Sequence, residues 1–268
     1  GSGTISWHDV SHAAYNRGAM VATDPDGYNF ASHADDWIWG AWAANGVLGF
    51  MWPAAQGGGF PYPHVQVVRV NPATFSLLSQ VQIWSTDLAF IYPSVHPNDR
   101  GHLGGIIAFG GGSAYPGCAA WIADDYNGGA VAPLENLVFA AGNHGPSGNR
   151  WGDYFATRRY APYGNTWAGT GHEMIGGSDD SFAVVHYLWF GRERDAPPAQ
   201  HTIYTDRLNS SGYEDGSSAH PYNTVTEGNV ATSPADAFII RTGNYPETVI
   251  MNTQVEVREE GGTVTIGQ

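Results

Sequence analysis

Two stretches of this chain are near copies of one another, and that repetition limits what it can fold into more than any other feature. "NGVLGFMWPAAQGGGFPYPHVQVVRVN" runs from Asn45 to Asn71, and "RGHLGGIIAFGGGSAYPGCAAWIADD" from Arg100 to Asp125. Both read Gly, two residues, Gly, an apolar run, a Gly triplet, then Tyr-Pro and another apolar run. Gly46 matches Gly101, Leu48 matches Leu103, Gly49 matches Gly104, and Tyr62-Pro63 matches Tyr115-Pro116. A weaker third copy spans Tyr163–Glu193. Repetition at a fixed period marks one supersecondary unit used several times. The glycine-rich breaks allow hairpin turns with positive φ.

The repeated unit is made of strands. "HVQVVRV", "FSLLSQVQIW", "LGGIIAF", "ENLVFAA", "FAVVHYLWF", "FIIRT", "TQVEVRE" and "TVTIG" are short, β-branched or aromatic, and bounded by Gly, Pro, Asn or Asp. "DDWIWGAWAANG" has bulky aromatics at a two-residue rhythm and an interior Gly40, which suits a strand better than a helix. No convincing helix is expected anywhere. The reading is all-β, with about three four-stranded antiparallel blades repeated around an axis, as in a propeller. A β-sandwich with two similar hairpins is the alternative. The run "RERDAPPAQ" (192–200) is charged, then Pro-rich, and reads as a linker. It divides a propeller-like domain, 1–195, from a linker and small C-terminal β unit, 196–268.

Composition narrows the partners. Gly (36) and Pro (16) are abundant, but 13% of residues are aromatic, so the chain is not a disordered low-complexity polymer. Net charge is −14, and all 11 basic residues are Arg. Phosphate neutralisation by basic side chains dominates nucleic-acid affinity, so nucleic acid is excluded as a partner, and an anionic membrane surface repels the chain for the same reason. The single Cys118 excludes an internal disulfide and any CxxC site. No apolar run reaches the ~18 residues of a membrane helix. Gly1-Ser2-Gly3 reads as an added or processed start.

The run "NRWGDY" (149–154), then "GNTW" and "YLWFGRERD", resembles the last blades of secreted, sialidase-like β-propeller proteins. "IYPSVHPNDRG" (91–101) is similar to the opening of an innermost blade strand. The resemblance covers roughly residues 36–195. The tail, roughly Pro221–Gly267, resembles the opening coil of a right-handed parallel β-helix of the pectate-lyase-like kind. It supplies Tyr222, Thr224, Val225, Glu227, Gly228, Arg241, Gly243, Tyr245, Glu247, Gly261, Gly262 and Ile266. Together these resemblances imply an extracellular, secreted protein. Propellers use about four to eight blades and solenoids about three coils, and fewer are visible here. The expectation is therefore a homo-oligomer or a part of a larger exoprotein, whose partner is a carbohydrate or another copy of the same chain.

The sialidase resemblance implies an Arg set for a substrate carboxylate, a Tyr/Glu nucleophile pair and an Asp acid. Guanidinium forks suit carboxylates because they bind them bidentately. Arg150 and Arg158 (with Arg159), Asp153, Tyr154 and Glu173 are the candidates, although the full set does not match residue by residue. The expected function is non-catalytic: binding of carbohydrate or assembly with other chains. A glycoside hydrolase of sialidase-like architecture is one alternative, and would need Asp153 and Glu173 in one channel. A structural subunit of a fibre or surface layer is the other. The doublets Asp35/Asp36, Asp124/Asp125 and Asp179/Asp180 read as turn formers, since adjacent strand residues face opposite ways. Trp37 and Tyr92 hold equivalent places before Gly46 and Gly101, and with Tyr154 are the candidate sugar-stacking aromatics.

No cofactor is expected. His8-Asp9-Val10-Ser11-His12 has zincin spacing, but carries Asp where the base should be Glu and lies outside any helical pattern. Asp24-Pro25-Asp26-Gly27 resembles a calcium loop through Asp24 and Asp26, but no Glu closes it, so a plain turn is the stronger reading. There is no G-x-S-x-G elbow and no phosphate loop.

Overall fold

The computed structural model describes residues 7–195 and 201–267. The three-residue start and the Pro-rich half of the 192–200 run lie outside the described residues. The chain is all-β and forms two compact units, Gly1–Ala196 and Pro197–Gln268.

The first unit contains three antiparallel meanders. The first joins β1 (Gly40–Ala44), β2 (Val47–Ala54), β3 (His64–Val70) and β4 (Leu77–Ile83), in that order. The second joins β5 (Ala89–Pro97), β6 (Leu103–Gly111), β7 (Ala114–Ala123) and β8 (Asn136–Ala141). The third has three strands, β9 (Ala156–Arg159), β10 (Trp167–Met174) and β11 (Ala183–Phe190). The first two repeats seen in the sequence each contribute the middle strands of one meander, and the third contributes the middle strand and one edge strand of a three-stranded sheet. Leu48 and Leu103 sit in the second strands, and Gly46 and Gly101 turn into those strands with φ of 72° and 76°.

The sheets stack face to face, and the first strand of each lies beside the next. A Cβ on Gly40 of β1 would sit 2.9 Å from Val95 Cγ1 of β5, and Ser94 Oγ of β5 is 2.6 Å from Thr157 Oγ1 of β9. The second sheet is covered on both sides. Ile107, Ala119 and Trp121 face Trp42, Met51, Val65 and Val67 of the first sheet. Ile106, Ala108, Cys118 and Ala120 cluster with Met174 and Leu188 of the third. Every residue of β6 is buried, which is why its sequence is a continuous apolar run rather than an alternating one. Met20, Phe30 and Ala31, from the segment before β1, complete this core.

Glycines make the stacking possible. A Cβ on Gly104 would lie 2.4 Å from Trp167, whose indole is 1% exposed and donates to the His96 carbonyl at 2.7 Å. Within a sheet the same device appears between neighbouring strands: Gly105 lies opposite Trp121 and Gly49 opposite Trp42, each too close to the partner's indole for a Cβ. The lone Cys118 lies between the second and third sheets. Its thiol donates to the His172 carbonyl at 2.9 Å and accepts from the His172 amide at 3.2 Å, and burial pushes its pKa far up.

A charge clamp straps the segment after β11 to the second sheet. Arg192 holds Asp124 through two hydrogen bonds of 2.7 and 2.9 Å and also engages Glu135. Arg194 pairs with Asp125 and lies over the Tyr126 ring. Arg100 meets Asp195 at 2.6 Å. Hydrogen bonds from Arg194 bring the Asp125 carboxyl down to about 2. Burial pulls Asp124 upward, but the Arg192 hydrogen bonds and charge outweigh it and leave that carboxyl below its usual range.

The second unit has a parallel sheet, β12 (Thr202–Thr205), β13 (Ala237–Tyr245) and β14 (Glu256–Ile266). The two runs "TQVEVRE" and "TVTIG" form one strand, β14, with a register jump where Gly261 and Gly262 take positive φ. The segment after Tyr222 holds the helix α1 (Val225–Ala231), against the expectation of none. The reason is local. Thr224 accepts from the Glu227 amide at 3.1 Å, the Thr-x-x-Glu signature of a helix start. Glu247 then takes the amides of Val225 and Thr226, both at 2.8 Å. Gly228 lets the helix lie on Phe238, in a core shared with Ile240 and Tyr245.

Two outcomes follow for the first unit. Trp167→Ala, which empties a fully buried indole site, is expected to cost about 3–5 kcal/mol in chemical denaturation. Arg192→Ala leaves Asp124, 2% exposed, without its charge partner and is expected to cost about 3 kcal/mol at pH 7. Asp124 has a depressed folded-state pKa, so the Arg192 contribution is present above the ordinary value of 3.8 and fades as pH falls below it. The two denaturation curves should therefore converge in acid.

Candidate functional site

The loop between β8 and β9 holds three positive-φ residues within five positions. Asn149, Gly152 and Asp153 have φ of 56°, 115° and 82°. Gly, Asn and Asp enter positive φ more readily than other residues, so the residues of this loop suit its backbone. Its surroundings hold it in place. Asn149 Oδ1 accepts from the Asn29 amide at 2.8 Å, and its carbonyl accepts from Ser32. Gly152 lies flat on the Tyr92 ring, where a Cβ would sit 2.1 Å from Cε2. Tyr92 itself has φ of 48°, at the point where Tyr92-Pro93 interrupts the β5 register.

This loop forms one wall of a cavity of about 320 Å³. Arg150, Trp151, Gly152, Asp153 and Tyr154 line it from the loop. His172 and Met174 of β10, Asp180, Ala183 and Val185 line it from the third sheet. Arg150 Nη2 lies 3.5 Å from Asp153 Oδ2, a loose pair open to solvent. The His172 ring sits 4.7 Å from Trp151 and 5.1 Å from Phe155. Burial lowers its pKa and nearby Asp153 only partly opposes this, so the imidazole is neutral at pH 7. Beneath the loop the Tyr92 hydroxyl is buried without a hydrogen-bond partner among the described residues. Burial first, then Asp153 and Asp35, push its pKa far up, so it stays a phenol. The Trp151 indole N–H is likewise unpartnered. The cavity thus offers aromatic faces, a neutral imidazole, a guanidinium and two carboxylates.

Arg150, Asp153 and Tyr154 thus line one cavity, with Tyr154 80% exposed. Glu173 does not join them. Neighbouring strand residues face opposite ways, so His172 looks into the cavity and Glu173 looks back toward the second sheet, where it is buried and meets His186 Nε2 at 2.7 Å. The Asp153–Glu173 acid pair is corrected on this point. Arg158 lies on β9 outside the cavity, its guanidinium donating to the Thr157 carbonyl, and Arg159 pairs with Asp99.

The sugar-stacking set also needs correction. Tyr92 is fully enclosed, edge-on to Trp39 at 4.9 Å and stacked on Phe155 at 5.8 Å, so no ligand reaches its face. Its left-handed backbone turns the ring inward. Trp37 is 67% exposed and does not line this cavity. The residues the sequence reading missed are His172 and Asp180. Asp179 does act as a turn former, accepting from the Ser181 amide at 2.9 Å, but its neighbour lines the cavity. An His in "GTGHEM" gives no signal by itself.

The metal candidates separate. The His8 segment is not helical, and its two rings have different neighbours: His8 stacks on Phe75, whereas His12 lies tilted to Tyr15 and edge-on to Trp52. His102, Asp124 and Asp125 form a cluster within 4.8 Å. Arg192 and Arg194 already supply the positive charge that a cation would bring there. Asp24 and Asp26 form a tight turn, in which Asp24 Oδ1 accepts from the amides of Asp26 and Tyr28 at 3.0 and 3.1 Å.

No protein-family model matches the chain, and no curated protein matches it either.

The lowered His172 pKa has a sign that can be measured. A folded state that favours the neutral ring is fully stabilised above the ordinary value of 6.5 and loses that contribution as pH falls below it. The melting temperature should therefore drop on acidification from pH 7 to 5. His172→Gln, neutral at every pH, should flatten part of that slope and leave the share of buried His64, whose pKa is lowered in the same way.

Proposed function

We propose that the first unit is a non-catalytic carbohydrate-binding module of a secreted protein, built from propeller-like blades of the sialidase-like kind. The observation that carries this reading is the cavity beside Asp153. Exposed Tyr154 and the half-buried His172 ring stand next to Arg150, Asp153 and Asp180, while Trp151, 5% exposed, contributes to the lining without a free ring face. Aromatic faces stack on the apolar faces of sugar rings, while charged and amide groups bond hydroxyls in a fixed orientation. Three successive meanders with adjacent first strands support the blade reading. The parallel strands of the second unit support its likeness to a β-helix coil.

The test is a glycan array followed by calorimetry on any glycan retained. Tyr154→Ala is expected to weaken binding roughly ten-fold, about 1.4 kcal/mol, without lowering the melting temperature. Glu173→Gln is expected to leave affinity unchanged. Absence of any retained glycan, or affinity indifferent to both Tyr154→Ala and Asp153→Asn, overturns the reading. Glycoside hydrolysis would have to use Asp153 with Asp180, which share the cavity, in place of Glu173. Sugar release that is lost in both Asp153→Asn and Asp180→Asn would replace the binding reading with that one.

Assembly with a second copy rests on a different observation. The face of the third sheet that carries His172 also presents Val185 and Tyr187, which are 74% and 67% exposed. A concentration-dependent dimer in light scattering, broken by Tyr187→Glu, is the outcome this reading expects.

A further inference from the structure

Arg69 stands where the repeat calls for an apolar side chain. Matching Tyr62-Pro63 to Tyr115-Pro116 pairs Val65 with Cys118, Val67 with Ala120 and Arg69 with Ile122. Val65 and Val67 are fully buried against the second sheet, and strand alternation puts Arg69 in the same row. Sheet packing does not require a guanidinium there. Arg69 Nη2 reaches across to the loop after β7 and donates to the Gly129 carbonyl at 3.0 Å. Among the described residues, no carboxylate pairs with this half-buried group, although acids outnumber arginines 25 to 11. The side chain lines a cavity of about 320 Å³ with Trp42, Asn45, His102, Asp124 and Asp125. The two acids of the lining do not supply its counter-charge. Asp124 gives both oxygens to Arg192, and Asp125 gives both to Arg194. Arg69 is thus the cation left over in this cavity.

We propose that this cavity binds a small molecule through a carboxylate held on Arg69. Only one guanidinium N–H is committed, to Gly129, and the remaining donors form the planar fork that matches two carboxylate oxygens. A single carboxylate also balances the single unpaired charge. Asn45 Nδ2 is spent on the Gly101 carbonyl at 3.2 Å, which leaves its Oδ1 to accept from a ligand hydroxyl. The cavity has room for a body of roughly monosaccharide size behind the carboxylate. Two sources share this chemistry, a free organic acid and a sugar acid. The cavity has no lining residue in common with the one beside Asp153, so the proposal stands independently of whether that cavity takes a sugar.

The experiment follows the arginine Nε–Hε signals of the isotope-labelled full chain by NMR. Arg69→Gln and Arg69→Lys each remove one signal and so assign it, and either variant suffices. Sodium acetate, sodium glucuronate, glucose and sodium chloride are then titrated into wild type at constant ionic strength. A saturable shift of the Arg69 signal is expected with acetate and glucuronate, at roughly millimolar half-saturation, and none with glucose or chloride. The signal of exposed Arg158 should stay in place. Glucuronate binding roughly ten-fold tighter than acetate marks a sugar acid as the source, and equal affinity marks a free organic acid. Arg69→Lys keeps the charge without the fork and should weaken binding roughly ten-fold, while Tyr154→Ala should leave it unchanged. An Arg69 signal that moves with neither carboxylate, moves as far with chloride, or moves in step with Arg158 overturns the proposal.

Discussion

Trp167 fills the space that a side chain at Gly104 would occupy, and the second and third sheets approach as closely as that arrangement permits. Gly105 beneath Trp121 and Gly49 beneath Trp42 repeat the arrangement within the first two sheets. A ring laid flat on a bare backbone replaces many small contacts with one large apolar one. A Cβ at Gly104 would meet rigid ring atoms across the interface, so the layers would have to part, and one at Gly105 or Gly49 would displace the indole of the paired strand. The same device recurs at Gly152 on Tyr92, where it fixes a loop rather than a sheet. The architecture and the candidate site therefore depend on one kind of contact.

Charge plays a second, more local part. The chain has few ionic groups for its size, and those on the second sheet are concentrated where Arg192 and Arg194 return from β11. Arg suits this role because its planar fork holds a carboxylate bidentately. The pair that includes buried Asp124 does more than a surface ion pair would, since separation would strand a carboxylate out of water. The opposite situation obtains at Asp24, where a buried carboxylate has amides on one oxygen and nothing on the other.

Much of the fold was legible because the repeat and the strand signals agree. The copies at Asn45 and Arg100 landed on equivalent strands, and Gly46 and Gly101 turn alike because both need positive φ. The helix at Val225 was legible too, through Thr224 and Glu227, but the β-rich surroundings masked a seven-residue element that is stabilised by a distant Glu247. The site was half legible. Arg150, Asp153 and Tyr154 are contiguous in sequence, so one loop brings them together. Glu173 is one residue from His172, and strand alternation sends it to the other face, which proximity in sequence cannot reveal. Tyr92 was misplaced for a backbone reason. Its left-handed φ and the Pro after it reverse the direction that simple alternation assigns to its ring.

Cys118 sits at the middle of these layers, its sulfur bonded in both directions to the backbone of His172. It is the only thiol in the chain, and it is enclosed by the two sheets that Trp167 joins. Alkylating or oxidising reagents can reach sulfur only after those sheets have separated. The chain thus carries a built-in gauge of its own breathing. The rate at which the thiol becomes reactive measures the opening free energy of one interface, without contribution from the fraying of edges or loops elsewhere.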